Sequence, residues 1–136
     1  MRVLVIGSAA SVADELSTID RSSFDKVIGV NRAAIEFGPV DIHCSLHPRD
    51  FAPIKAAYMV SHADHRGVDE IFPCLWKIGG TSGSSGLYAV KYALERLEAT
   101  EIVLAGVGMN EGPHFYNPSK WHQAKRFQAA WIEALP

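Results

Sequence analysis

The chain has 136 residues, 48% of them hydrophobic and 21% charged, the balance of an ordinary globular protein of one domain spanning 1–136. Thirteen Lys and Arg against fifteen Asp and Glu leave a formal charge of −2, which argues against the basic footprint of a nucleic-acid binder. No apolar run approaches the roughly 20 residues of a membrane span, and the two cysteines, Cys44 and Cys74, are too few for a disulfide framework, so the expectation is a cytoplasmic protein with reduced thiols.

The first strand is read at Arg2–Ile6, almost entirely Val, Leu and Ile. Gly7-Ser8-Ala9-Ala10-Ser11 follows it and opens a short helix over Ser11–Ser17, with Asp14 and Glu15 in its early turns as the helix dipole favours. A glycine turn between a strand and a helix is where Rossmann-like folds hold phosphate. Gly7, the Ser8 hydroxyl and the Ser11 hydroxyl are therefore candidate anion contacts. The turn lacks the further glycines of a dinucleotide fingerprint, and no acidic residue ends the second strand, so NAD is not expected.

The second strand is Lys26–Val30, and Asn31-Arg32 stand at its carboxyl end. An amide there has paired donor and acceptor atoms for a base or a ribose, and a guanidinium can pair with phosphate. Weaker strand signals cover Val40–Leu46 and Ala57–Ser61, and a further apolar run lies at Leu75–Ile78. His43, His47, His62 and His65 lie within this stretch. Imidazoles suit zinc, manganese or iron, yet no spacing of an established metal motif is present.

Thr81-Ser82-Gly83-Ser84-Ser85-Gly86 precedes the strongest helical pattern, Ser84–Glu98. Leu87, Val90, Leu94 and Leu97 recur there at three- and four-residue steps. Thr81, Ser82, Ser84, Ser85 and Gly86 are a second set of candidate ligand contacts at a positive helix end. The last strand is Ile102–Val107, followed by a glycine-rich loop that carries His114, the candidate general base. A final helix over Ser119–Leu135 has a stripe through Ala124, Phe127, Trp131 and Ala134, with Trp131 assigned to packing.

Continuous apolar strands alternating with helices indicate an α/β class: a single Rossmann-like domain with five or six mostly parallel strands flanked by helices. Taken in order, Gly-Ser-x-x-Ser after strand one, Val-Asn-Arg after strand two, Ser-Gly-Leu-Tyr-Ala-Val and Glu-Ile-Val-Leu-Ala-Gly-Val resemble the nucleotide-binding half of bacterial family 42 sialyltransferases. The order is similar, too, to 6-hydroxymethylpterin pyrophosphokinase-like proteins, and Gly-Val-x-Met…His-Phe resembles small phage and prophage proteins. The sialyltransferase resemblance implies cytidine nucleotide-sugar contacts at Gly7, Ser8, Asn31, Ser85 and Gly86. The family's first turn usually reads Asn-Gly-Pro-Ser where this chain has Ser8-Ala9-Ala10-Ser11, and its Asp after the last matching strand is replaced around Gly108 and Met109. The family's catalytic histidine lies in a further segment, so the resemblance assigns His114 no counterpart.

The leading expectation is a nucleotide or nucleotide-sugar binding protein of glycosyltransferase-like type, with a small-molecule partner and no nucleic acid or membrane partner. A nucleotide sugar would be the substrate, and use of Mg²⁺ or Mn²⁺ stays open. The alternatives are a metal-dependent hydrolase built on His43, His47, His62 and His65, an ATP-dependent pyrophosphokinase, and a non-catalytic binding or assembly module forming homo-oligomers.

Overall fold

Five strands step across one sheet in a single direction, and the sixth returns to the far side of the first. They are β1 (Arg2–Ile6), β2 (Lys26–Val30), β3 (Ile42–Cys44), β4 (Tyr58–Ser61), β5 (Glu70–Ile71) and β6 (Glu101–Ala105). The sheet order is β5-β4-β3-β2-β1-β6, and every pairing is parallel. The helices are α1 (Val12–Leu16), α2 (Arg32–Glu36), α3 (Pro48–Phe51), α4 (Ser85–Glu95) and α5 (Ala124–Ala134). The computed structural model describes residues 1–74, 84–108, 112–117, 119 and 124–134.

Period-two alternation sends β1 to two cores. Val3 and Val5 pack with Ile28, Cys44, Val60, Leu87, Tyr88 and Trp131. Leu4 and Ile6 pack with Val12, Val27, Ala33 and Ala105. Helices cover both faces, which is why β1 and β2 read as unbroken apolar runs. Each buried Val, Leu or Ile contributes about 1.5–3 kcal/mol relative to an exposed one.

The expected α/β Rossmann-like class holds, with six parallel strands. The strand expected at Leu75–Ile78 lies outside the described residues. A further strand, β5, pairs at Glu70–Ile71, two residues with no run of apolar side chains to betray them. Glu70 is secured from α4 and β4: Tyr92 Oη and Tyr58 Oη donate to its Oε1 at 3.0 and 3.1 Å. On α4 the stripe through Leu87 and Val90 is buried, but Leu94 is exposed, and Ala89, Tyr92 and Ala93 complete the buried face instead. The helix ends at Glu95, before Leu97, and the drift of a 3.6-residue repeat carries Leu94 to the rim. Among the described residues no helix is long and apolar enough to cross a membrane.

The sheet order fixes where a ligand would sit. Strands leave β1 on one side through β2 and return on the other as β6, so the topology reverses between β1 and β6. In open parallel sheets the crevice opens there, at the carboxyl ends of the strands.

Candidate functional site

A cleft of about 540 Å³ crosses the carboxyl ends of β4, β3, β2, β1 and β6, a size that suits a small-molecule ligand. Gly7 and Ser8 line it after β1, Asn31 after β2, Leu46 and His47 after β3, and His62 after β4. Ser84, Ser85 and Gly86 line it at the start of α4, and Gly106, Gly108, His114 and Tyr116 close the β6 end. The sequence-predicted contacts Gly7, Ser8, Asn31, Ser84, Ser85, Gly86 and His114 therefore converge.

The turn after β1 is mostly tied to its neighbours. The N–H groups of Gly7, Ala9 and Ala10 donate to the carbonyls of Ala105, Gly106 and Pro113. A Cβ on Gly7 would lie 2.5 Å from the Gly106 carbonyl oxygen, so this glycine serves the close approach of two backbones. Ser11 is outside the cleft lining, and its hydroxyl donates to Glu15 Oε1 at 2.9 Å. Glu15 Oε2 also accepts from the Gly106 N–H. Its place in the first turn of α1 suits the helix dipole, and its side chain also laces α1 to the turn after β6. Ser8 is different: its Oγ is buried and has no hydrogen-bond partner among the described residues. A buried hydroxyl without a partner costs about 1–3 kcal/mol, and a ligand in the cleft would relieve that.

Asn31 is the single residue between β2 and α2. Its backbone sits at φ 51°, ψ −127°, a glycine-like conformation that costs a side-chain-bearing residue about 1–3 kcal/mol. Gly29 allows α2 to fold back this tightly, because a Cβ there would lie 2.5 Å from Ala34 Cα. The Ser45 hydroxyl donates to Asn31 Oδ1 at 2.6 Å and accepts from the His47 N–H at 2.9 Å. Arg32 does not line the cleft. Its guanidinium stands 5.2 Å from the ring centre of Tyr116 and 3.8 Å from Glu36, so it supports the wall from outside. The pair with Glu36 has i,i+4 spacing and is exposed.

At α4 the Ser84 hydroxyl caps the helix, accepting from the Leu87 N–H at 3.2 Å and from Trp131 Nε1 at 3.0 Å. Ser85 Oγ accepts from the Leu46 N–H at 3.2 Å. Both hydroxyls thus brace the cleft wall. The first N–H groups of a helix lack intrahelical acceptors, so Ser85 and Gly86, which line the cleft, also bring backbone donors to it. Thr81 and Ser82 lie outside the described residues.

His114 lines the β6 end and stacks on Tyr116 at 5.4 Å with nearly parallel rings. Partial burial lowers its pKa from the ordinary histidine value. His47, His62 and Asp50 line the other end. Burial, and then the neighbouring His47, lower the pKa of His62. Both shifts favour neutral rings near pH 7, the form that accepts a proton.

The four-histidine grouping expected for a hydrolase is not assembled. His43 is fully buried, its Nδ1 accepts from the Ala56 N–H at 3.2 Å, and its ring meets Phe51 edge-on. His65 is bonded locally to the Arg66 carbonyl. Only His47 and His62 reach the cleft, and among the described residues no three His, Cys, Asp or Glu side chains come together as metal ligands. His43 sits mid-strand, so its side chain faces the layer covered by α3 and not the strand tips.

These features define a Rossmann-like α/β domain with a ligand-sized cleft at its topological switch. No protein-family model matches the chain, and no curated protein sequence matches it. The structure is similar to a mammalian sialyltransferase solved in complex with Gal-beta-1-3GalNAc-ortho-nitrophenol, with a TM-score of 0.56 and 14% identity. The match covers 98% of this chain and 66% of that one, so this chain spans slightly less than two-thirds of that protein. The sialyltransferase side of the resemblance thus has a structural counterpart in fold. The pyrophosphokinase and phage resemblances find none.

Proposed function

We propose that the cleft binds a nucleotide or nucleotide sugar and that the protein is a glycosyltransferase-like enzyme. The observation that carries this reading is the Ser8 hydroxyl, buried at the topological switch point and left without a partner. Around it stand the amide of Asn31 and the N-terminal end of α4. Together they are uncharged donors, suited to the oxygens of a phosphate or a base. The fold shared with a sialyltransferase supports the same reading.

In such a transfer an acceptor hydroxyl attacks the anomeric carbon, and the bond from that carbon to the phosphate oxygen breaks. The hydroxyl proton passes to His114, whose neutral ring is favoured by burial, and the departing phosphate keeps the electron pair. Donors at α4 and Ser8 stabilise the charge that develops on it.

Thermal shift against nucleoside monophosphates, diphosphates and nucleotide sugars, with and without Mg²⁺ or Mn²⁺, tests the proposal. A ligand at about 100 times its Kd adds about 2.7 kcal/mol and raises the melting temperature by several degrees. Ser8→Ala should leave the ligand-free melting temperature unchanged or higher while shrinking the ligand-induced rise. No rise with any nucleotide, or a full rise in Ser8→Ala, overturns it.

A further inference from the structure

We propose that Ser45 makes Asn31 a one-sided recognition group: its amide oxygen is held by the buried serine, and only its N–H donors serve the cleft. Ser45 is wholly buried. Its hydroxyl accepts from the His47 N–H, and the acceptor for its own proton is Asn31 Oδ1. A buried hydroxyl proton needs an acceptor, so this geometry sets which end of the amide faces inward. The Nδ2 group has no partner among the described residues, and Asn31 lines the cleft.

The backbone supports a presenting role. One residue links β2 to α2, in a conformation that glycine would adopt at no cost. The turn depends on Gly29 lying against Ala34. An unbranched structural turn would place glycine at 31, whereas this chain keeps a side chain there and then fixes its polarity from beneath. Ser45 is accordingly a positioning residue, acting through Asn31.

The consequence concerns ligand chemistry and rests on the nucleotide reading of the cleft. With Oδ1 engaged by Ser45, the amide end that Asn31 has wholly uncommitted is Nδ2, in place of the paired donor and acceptor edge the sequence suggests. It takes an oxygen acceptor: a carbonyl of a base, or a phosphate or carboxylate oxygen. A ligand presenting an amine or amide N–H at this point meets the Nδ2 donors and is disfavoured.

The test is a double-mutant cycle on the full chain, with Ser45→Ala, Asn31→Ala and the pair, read by calorimetric titration with CMP, UMP and AMP. Ser45→Ala is expected to weaken the best nucleotide about tenfold in the wild-type background, the size of one hydrogen bond, and less than twofold in the Asn31→Ala background. Equal losses in both backgrounds, or no loss in the first, overturn the proposal. Repeating Asn31→Ala with the parent nucleoside separates the oxygens: a retained loss assigns the base or ribose, a vanished loss the phosphate.

If no nucleotide binds the wild type, the functional reading fails on its own. The amide lock is then read without ligand from the Asn31 side-chain N–H pair in ¹⁵N spectra. Displacement and exchange broadening of that pair in Ser45→Ala support the lock, and an unchanged pair overturns it.

Discussion

The turn after β1 and the start of α4 carry similar residues, Gly7-Ser8 and Ser85-Gly86, and use them in opposite ways. At the first turn the backbone is committed: three N–H groups bond to the carbonyls of Ala105, Gly106 and Pro113, and the side chain of Ser8 is left over. At α4 the side chains are committed, Ser84 to Leu87 and Trp131, and Ser85 to Leu46. Backbone donors are left there. A glycine-serine turn after a strand is therefore ambiguous by composition. The partners of its N–H groups decide whether it can hold an anion.

The sharpest way to break this contrast is to add one methyl group to each glycine. Gly7→Ala forces a Cβ to 2.5 Å from a carbonyl oxygen and 2.8 Å from Val107 Cγ2. Backbone on one side cannot yield, so urea unfolding should show a loss of about 2–3 kcal/mol. Gly86→Ala meets only ordinary contacts of 3.4–3.6 Å. There the helix gain of up to about 1 kcal/mol should leave stability equal or higher. Comparable losses at the two sites would erase the distinction.

Ser84→Ala comes next in size. It removes a helix cap and strands the buried indole N–H of Trp131, so a loss of about 2 kcal/mol is expected in the same measurement. Ser8→Ala should cost nothing, and a loss near that of Ser84 would mean that Ser8 is structural.

The histidines give a pH signature. Burial lowers the pKa of His43, partly offset by the Asn31 backbone, and lowers those of His62 and His114. A histidine with a lowered folded pKa binds protons more readily when unfolded. Its stabilisation is complete above the unfolded value of 6.5 and is lost as pH falls below it toward the folded value. Each such group contributes a slope of at most about 1.4 kcal/mol per pH unit. His43→Leu should flatten the stability-pH curve below 6.5 by one proton's worth, whatever its effect at neutral pH. An unaltered slope would mean that His43 already titrates normally in the folded chain.

Arg32→Ala should be the smallest change. Its ion pair is exposed and contributes under about 0.5 kcal/mol, and it sits behind Tyr116. Nucleotide affinity should fall less than threefold. A tenfold fall would restore the direct phosphate contact suggested by its position beside Asn31.

How much of this was legible in the sequence follows from what periodicity and strand position encode. β1, β2 and α4 are long or strongly apolar, and their cores dictated their patterns. β5 was invisible because Glu70–Ile71 forms a strand through pairing with β4 and side-chain bonds to Glu70, neither of which has a local signature. Gly7 and Asn31 could be placed at the cleft because they directly follow β1 and β2, and Ser85 because it opens the strongly patterned α4. Ser45 could not be singled out: its importance lies in two hydrogen bonds made across strands. Cys44 reads like any small apolar residue, and burial pushes its thiol pKa up, so it is chemically quiet in the folded chain.

The position of β1 also has a consequence for how the molecule comes together. β1 pairs with β2, which begins at Lys26, and with β6, which begins only at Glu101. During synthesis one edge of β1 stays open while most of the chain is made, and unpaired edges of this kind recruit foreign strands. Because the late partner closes the sheet over the greatest sequence separation, slow folding and early aggregation should trace to the same seam. Substitutions that weaken β6 would then show themselves in yield and solubility before they show in the finished fold.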